Sequence, residues 1–192
     1  MDLGRPVERG DHRADSDNVR SVAEDILAHL DAAYNLARWL VGREQDAQDI
    51  VQEAYLRALR SVETFRGGDM RSWILAIVRN ASFDWLRRDK SRRLDEMDDQ
   101  SASAASDEEA DPSRILERAE DVARIRKAIG QLPAESRQMI VLREMEGLSY
   151  KEIADVSGVP IGTVMSRLAR ARRRLAELLS GEGQSFSKEA EE

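Results

Sequence analysis

Between Leu94 and Pro112 the chain reads LDEMDDQSASAASDEEADP, and this segment limits what the rest can fold into. Leu94 and Met97 are its only large apolar residues. So little apolar area cannot offset the ordering entropy, about 1–2 kcal/mol per residue for the backbone alone. The segment reads as a flexible linker, with a solvated helix as the alternative. On either reading the 192 residues divide into two blocks, each expected to be a small domain. The boundaries are placed at 19–94 and 115–180, with 95–114 as linker. Residues 1–18 and 181–192 are expected to be disordered tails.

The same segment distorts the net charge. The total of −7 argues, taken alone, against a nucleic-acid partner. By segment it is −2 over 1–19, +2 over 20–94, −9 over 95–121, +5 over 122–180 and −3 over 181–192. Screening acts over about 8 Å at physiological salt, so a phosphate responds to the local block. Other classes are excluded more firmly. With no cysteine there is no disulfide, thiol nucleophile or thiolate zinc site. His12 and His29 are the only histidines, which makes a His-based metal site or a Ser-His-Asp triad improbable. No metal and no cofactor is expected. No run of about 18 apolar residues exists, so membrane insertion is not expected. The N-terminus lacks the apolar core of a signal peptide. These features describe a soluble cytoplasmic protein without enzymatic machinery.

Both blocks carry helical periodicity and nothing reads as a strand, so the fold class is all-α. Val22, Ile26, Leu30, Ala33, Ala37 and Leu40 mark one helix ending at Gly42. A second runs from about Asp46 to Arg60, with Ala47, Ile50, Val51, Ala54, Tyr55, Ala58 and Leu59 as a core-facing stripe. FRGGD (Phe65 to Asp69) breaks the pattern. A third helix, about Met70 to Arg88, turns Met70, Trp73, Ile74, Ile77, Val78, Ala81 and Trp85 to one side, leaving Phe83 off the stripe. A basic cluster, Arg87 to Arg93, ends it. In the second block, Val122, Ile125 and Ile129 mark a helix closed by Gly130, and Pro133 opens another that runs to about Met145.

The chain then turns twice with specific residues. Ser149 and Glu152 have capping-box spacing, and Gly158 suits a left-handed turn. Ala154 is small enough for a helix crossing. Ile153, Val159 and Val164 would lock the pair, with Leu168 in place of an apolar residue at Arg167. This is a helix-turn-helix, whose last helix runs to about Leu179. Five arginines fall between Arg167 and Arg174, with no acid until Glu177. Such a helix suits a major groove. The plain alternative is an exposed basic helix in a bundle.

The segment LPAESRQMIVLREMEGLSYKEIADVSGVPIGTVMSRLARARRRL resembles the C-terminal DNA-binding domain of bacterial sigma factors. DAQDIVQEAYLRAL and FRGGDMRSWILAIVRNASFDWLRR resemble their N-terminal polymerase-binding and promoter-melting domain. The order, and the lack of room for a large central domain, are similar to the extracytoplasmic-function (group IV) class of the sigma-70 family. The resemblance covers about 20–94 and 115–179. It implies that Asp46, Asp49, Gln52, Glu53 and Arg57 dock on the clamp coiled coil of the largest subunit of core RNA polymerase. It implies that Arg66, Gly67, Gly68, Asp69 and Met70 precede the −10 melting helix and capture a flipped base. Asn80 would contact a base, and Arg87 and Arg88 would meet phosphates. At the −35 element of promoter DNA, Ser166, Arg167, Arg170 and Arg173 would make contacts, with Thr163 near phosphate. Many relatives carry a basic residue where this chain has Met165. The resemblance also implies control by an anti-sigma factor. The alternative is a LuxR-like activator that binds DNA without core polymerase.

Overall fold

The computed structural model describes residues 24–62, 65, 67–95 and 112–189, and among them there is no strand. Val22, Arg66, the 1–18 tail and the acidic residues 96–111 lie outside the described residues. The helices are α1 (Leu30–Val41), α2 (Glu44–Arg60), α3 (Met70–Asp95), α4 (Pro112–Gly130), α5 (Ala134–Ile140), α6 (Tyr150–Ser157) and α7 (Ile161–Glu189). Residues 24–27 form a helical turn before α1, so the first expected helix is broken at 28–29. Gly42 ends α1 in the left-handed conformation, φ 84°.

Three helix ends differ from the sequence expectation. The α3 helix runs on to Asp95 because RRDKSRRLD is made of tolerant helix formers with i,i+3 ion pairs, Arg87 to Asp84 and Arg92 to Asp89 at 3.3 Å. The α4 helix starts at Pro112, well before Val122, because proline is preorganised for a first helical position. The α7 helix reaches Glu189, past the boundary expected at 180.

Helices α1, α2 and α3 close one core: Ile26, Ala33, Ala37, Ala47, Ile50, Val51, Ala54, Tyr55, Ala58, Ile74, Val78 and Ala81. Three residues of the expected stripes depart from it: Leu30 is 42% and Leu59 46% exposed, and Leu40 is buried in the second core. Tyr55 donates its hydroxyl to the Ile26 carbonyl at 3.2 Å. Burial, with a smaller contribution from Asp31, pushes its pKa up to about 12. The raised value means the unfolded chain loses this proton first. Tyr55 therefore contributes stability that is complete below about pH 10 and is lost as pH rises towards 12. An ultraviolet titration is expected to show a tyrosine that ionises only towards pH 12, and the absence of such a step would contradict this burial.

The second core joins the C-terminal helices to the N-terminal ones. Ile129, Leu132, Met139, Ile140, Val141, Leu142, Leu148, Ile153, Val156, Val164, Leu168 and Ala171 cluster with Leu36, Leu40 and Leu75. Leu36 and Leu75 lie off the stripes read from sequence, because α1 and α3 each bury a second face. The C-terminal helices thus pack directly on α1 and α3. Val122 and Ile125, read as core markers of α4, are 47% and 43% exposed, whereas Ile129 is buried. Between α5 and α6 the chain widens into a π turn, Val141–Met145, closed by Glu146 N–H to Val141 O at 3.0 Å.

Candidate functional site

The helix-turn-helix forms as its residues dictate. Ser149 Oγ accepts from Glu152 N–H at 3.2 Å and Glu152 Oε2 accepts from Ser149 N–H at 2.6 Å, a complete capping box. The Ser149 side chain, and then the Ser149 backbone N–H, hold the Glu152 carboxyl below its usual range. Gly158 turns the chain at φ 66°. Ile153, Val164 and Leu168 are buried and Val159 half-buried, so the lock sits on Leu168.

Intramolecular pairs sort the arginines of α7. Arg167, only 25% exposed, pairs with Glu135 at 3.1 Å. Arg172 holds Glu144 at 2.6 and 3.0 Å, and Arg174 holds Glu177 at 3.1 Å. Ser166, Arg170 and Arg173 are exposed on one face at i, i+4 and i+7, and neither arginine has an ion pair among the described residues. Thr163 is half-buried at the start of α7. Met165 and Ile161 are exposed near this row, and such side chains suit thymine methyl groups.

The second group lies at the start of α3. Gly67 and Gly68 adopt φ 83° and 111°, conformations that other residues rarely take. Asp69 Oδ2 accepts from Ser72 N–H at 2.9 Å, capping α3. The Ser72 side chain, and then the Ser72 and Arg71 backbone N–H groups, hold its carboxyl below the usual range. Asp69→Ala is expected to cost about 1 kcal/mol, read by thermal melting, while Asp69→Asn keeps the cap. If both variants impair promoter opening equally, the side chain has a role beyond capping. Met70 is half-buried against the N-terminal core. Asn80 is exposed, and its Oδ1 accepts from Arg79 at 2.8 Å. Arg79 lies over the Phe83 ring at 4.5 Å, so Phe83 is half-buried, not free as its off-stripe position suggests. Arg87 and Arg88 are exposed. Arg87 pairs with Asp84, and Arg88 lines a shallow cavity of about 280 Å³ with Trp85 and Arg92.

The third group is on α2. Asp49, Gln52, Glu53 and Arg57 are exposed, with Arg57 paired to Glu53 at 2.9 Å. Asp46 is half-buried and its Oδ2 has no hydrogen-bond partner. Beside them runs an apolar groove of about 520 Å³ bordered by Leu27, Leu30, Leu56 and Leu59, with Gln52 on its wall. These leucines are 42–58% exposed. Sequence reasoning missed the groove, although the signal was there: the leucines are apolar residues in excess of what the core takes. Among the described residues no acidic or His cluster is placed to hold a metal, and no helix is long and apolar enough to cross a membrane.

Comparison with known proteins accounts for both blocks. Residues 26–92 match the family model for sigma-70 region 2 and residues 123–175 that for sigma-70 region 4. A LuxR-like activator would leave the first match unexplained. The RNA polymerase sigma-H factor of Pseudomonas aeruginosa is 36% identical over 182 residues, 90% of each chain. The extracytoplasmic-function sigma factor EcfG of Rhodopseudomonas palustris is 32% identical over 85% of this chain and 87% of its own. The SigE factor of Mycolicibacterium smegmatis is 34% identical over 88% of this chain, which spans 66% of that protein. Among solved structures, the sigma factor RpoE in complex with the anti-sigma factor NepR from Bartonella quintana superposes with a TM-score of 0.72, at 29% identity, over 84% of this chain and 98% of that one. CnrH in complex with the cytosolic domain of CnrY gives 0.62, at 27% identity, over 88% and 94%. Two matched regions in order, and two relatives above 30% identity matched over 85–90% of both chains, lead to one conclusion: the chain belongs to the extracytoplasmic-function class of the sigma-70 family of RNA polymerase sigma factors.

Proposed function

We propose that the chain docks on core RNA polymerase through α2 and its leucine-lined groove, opens promoter DNA with α3 and the Gly67–Gly68 turn, and reads the −35 element with α7. The division of surfaces carries the proposal: one chain presents an exposed Ser166, Arg170, Arg173 row, its arginines without an ion pair among the described residues, on a capped helix-turn-helix, and an apolar groove beside an acidic row on α2. The basic row suits base edges and phosphates. The groove suits a coiled coil, which offers apolar and polar side chains on one face. The same reading places the protein in the cytoplasm and under an anti-sigma factor, as is the Bartonella quintana relative in its complex with NepR.

Run-off transcription with core polymerase and a genomic promoter library tests this. Initiation at a defined promoter set is expected, and stimulation at no promoter would overturn the reading. On a responsive promoter, Arg170→Ala is expected to cost about 1–3 kcal/mol if the arginine contacts a base, a loss of about 5- to 150-fold confined to one position of the sequence. A phosphate contact would instead weaken all sequences alike and flatten the salt dependence. Wild-type affinity and promoter choice would remove α7 from the −35 element.

A further inference from the structure

We propose that the start of α7 reads thymine by its methyl group: Ile161 and Met165 form an apolar edge that selects A·T pairs within the −35 element, beside the Ser166, Arg170, Arg173 row. The inference rests on the function proposed above and adds to it the class of base that this edge takes.

Ile161 is the first residue of α7, and Met165 stands about one turn on. They are 46% and 53% exposed. The core does not use them. Val164, Leu168 and Ala171 are buried, and Leu175 and Leu178 pack half-buried against the same cluster. Among the described residues, Ile161 and Met165 are the large apolar side chains that α7 leaves exposed. A single exposed apolar side chain is ordinary. Two of them, a turn apart, occupy the N-terminal residues that a recognition helix turns to base edges. Ala169, a further turn along the same edge, is exposed as well. The edge ends at Arg172, which Glu144 already holds at 2.6 and 3.0 Å.

The side chains that α7 lacks narrow the choice of base. Residues 161–176 contain no Asn, Gln, Asp or Glu. An amide is what pairs with adenine in the major groove, and a carboxylate is what accepts from cytosine N4. Arginine suits guanine, and the C5 methyl of thymine is the base group that an apolar side chain can take. An A·T pair facing this edge is therefore read from its thymine, whichever strand carries it. Spacing sets the span. At about 1.5 Å per residue, Ile161 and Met165 are about 6 Å apart along the helix, close to two base-pair steps of about 3.4 Å. The thymines they read fall within about three consecutive base pairs. Arg170 and Arg173 lie about 7.5–12 Å beyond Met165 on the same scale, which places guanine and phosphate contacts further along the element.

Holoenzyme assembled from the full chain and core polymerase tests this on a responsive promoter. Each thymidine of the −35 element, on either strand, is exchanged in turn for deoxyuridine, which removes one methyl group and keeps every hydrogen-bonding group. At one or two neighbouring positions the exchange is expected to lower promoter affinity about three- to fivefold, the effect of one buried methyl-sized group. Met165→Ala is expected to lose a similar factor on the thymine promoter and to bind the deoxyuridine promoter as the wild type does. Ile161→Ala should behave likewise, at the same position or its neighbour. Met165→Leu keeps an apolar side chain and should keep the penalty. Arg170→Ala should weaken binding and leave the penalty unchanged. Absence of a penalty at every position, a penalty that survives in full in both alanine variants, or a −35 element without an A·T pair would each overturn the proposal. A holoenzyme that still needs its −35 sequence but ignores deoxyuridine would overturn the methyl reading alone. One that also ignores Arg170→Ala and a scrambled −35 element would overturn the functional reading of α7 and this inference with it.

Discussion

Ile153→Asp is expected to abolish −35-dependent transcription while core-polymerase binding survives. Ile153 is fully buried in the helix-turn-helix lock with Val164 and Leu168. A carboxylate there has no partner, and an unpaired buried charge costs several kcal/mol. A loss above about 4 kcal/mol is a large part of the 5–15 kcal/mol that holds a domain together. Without the lock, α6 and α7 lose their crossing, and Ser166, Arg170 and Arg173 lose their common aim. The α2 face stands on the other core, built from Ile26 to Ala81, which contains no C-terminal residue. Thermal melting, gel shift with a −35 duplex and pull-down of core polymerase read the three consequences separately. A variant that melts early yet keeps wild-type promoter choice would show that α7 does not read DNA.

The reverse separation is expected of Asp49→Lys with Glu53→Lys. Both side chains are exposed on α2, and lysine is as good a helix former as the acids it replaces. The lost Arg57–Glu53 pair is an exposed i,i+4 bridge worth about 0.3–0.5 kcal/mol, so the fold should hold. Like-charge contacts at a docked interface cost more than lost attractive ones. At least a tenfold rise in the dissociation constant for core polymerase is expected, which corresponds to about 1.4 kcal/mol. Leu56→Ala and Leu59→Ala test the apolar side of the same face. If core binding is unchanged in all of these variants, with helicity intact by circular dichroism, the docking surface lies elsewhere.

The two cores were not equally legible in the sequence. The helix-turn-helix was the easiest part, because local chemistry specifies it: a serine and a glutamate three apart, a glycine with a left-handed φ, and Leu168 where the lock needs an apolar side chain. The α2 stripe was read correctly apart from Leu59, since periodicity finds a face that one core covers. It fails for α1 and α3, which bury two faces, so Leu36 and Leu75 escaped notice. Arg137, Gln138 and Glu146 look like ordinary surface residues in sequence, because their partners in α1 and α3 lie 59 to 111 positions away. Met70 and Arg167, read as DNA contacts, are drawn partly inward: Met70 into the N-terminal core, Arg167 into a pair with Glu135. Ser166, Arg170 and Arg173 stand where an amphipathic reading puts them.

The π turn at Val141–Met145 fixes a register. It holds one residue more than an α-helical turn, and the acids on it and just after it serve different neighbours: Glu144 meets Arg172 of α7 and Glu146 meets Arg71 of α3. Removing any one residue from the turn would restore ordinary helix and rotate everything after it by about 100°. Glu146 would then swing away from α3 although Arg71, its ion-pair partner there, was still present. The length of this turn, to the single residue, acts as a gauge that sets which neighbour each acid reaches, and a conservative substitution here should be tolerated far better than a one-residue deletion.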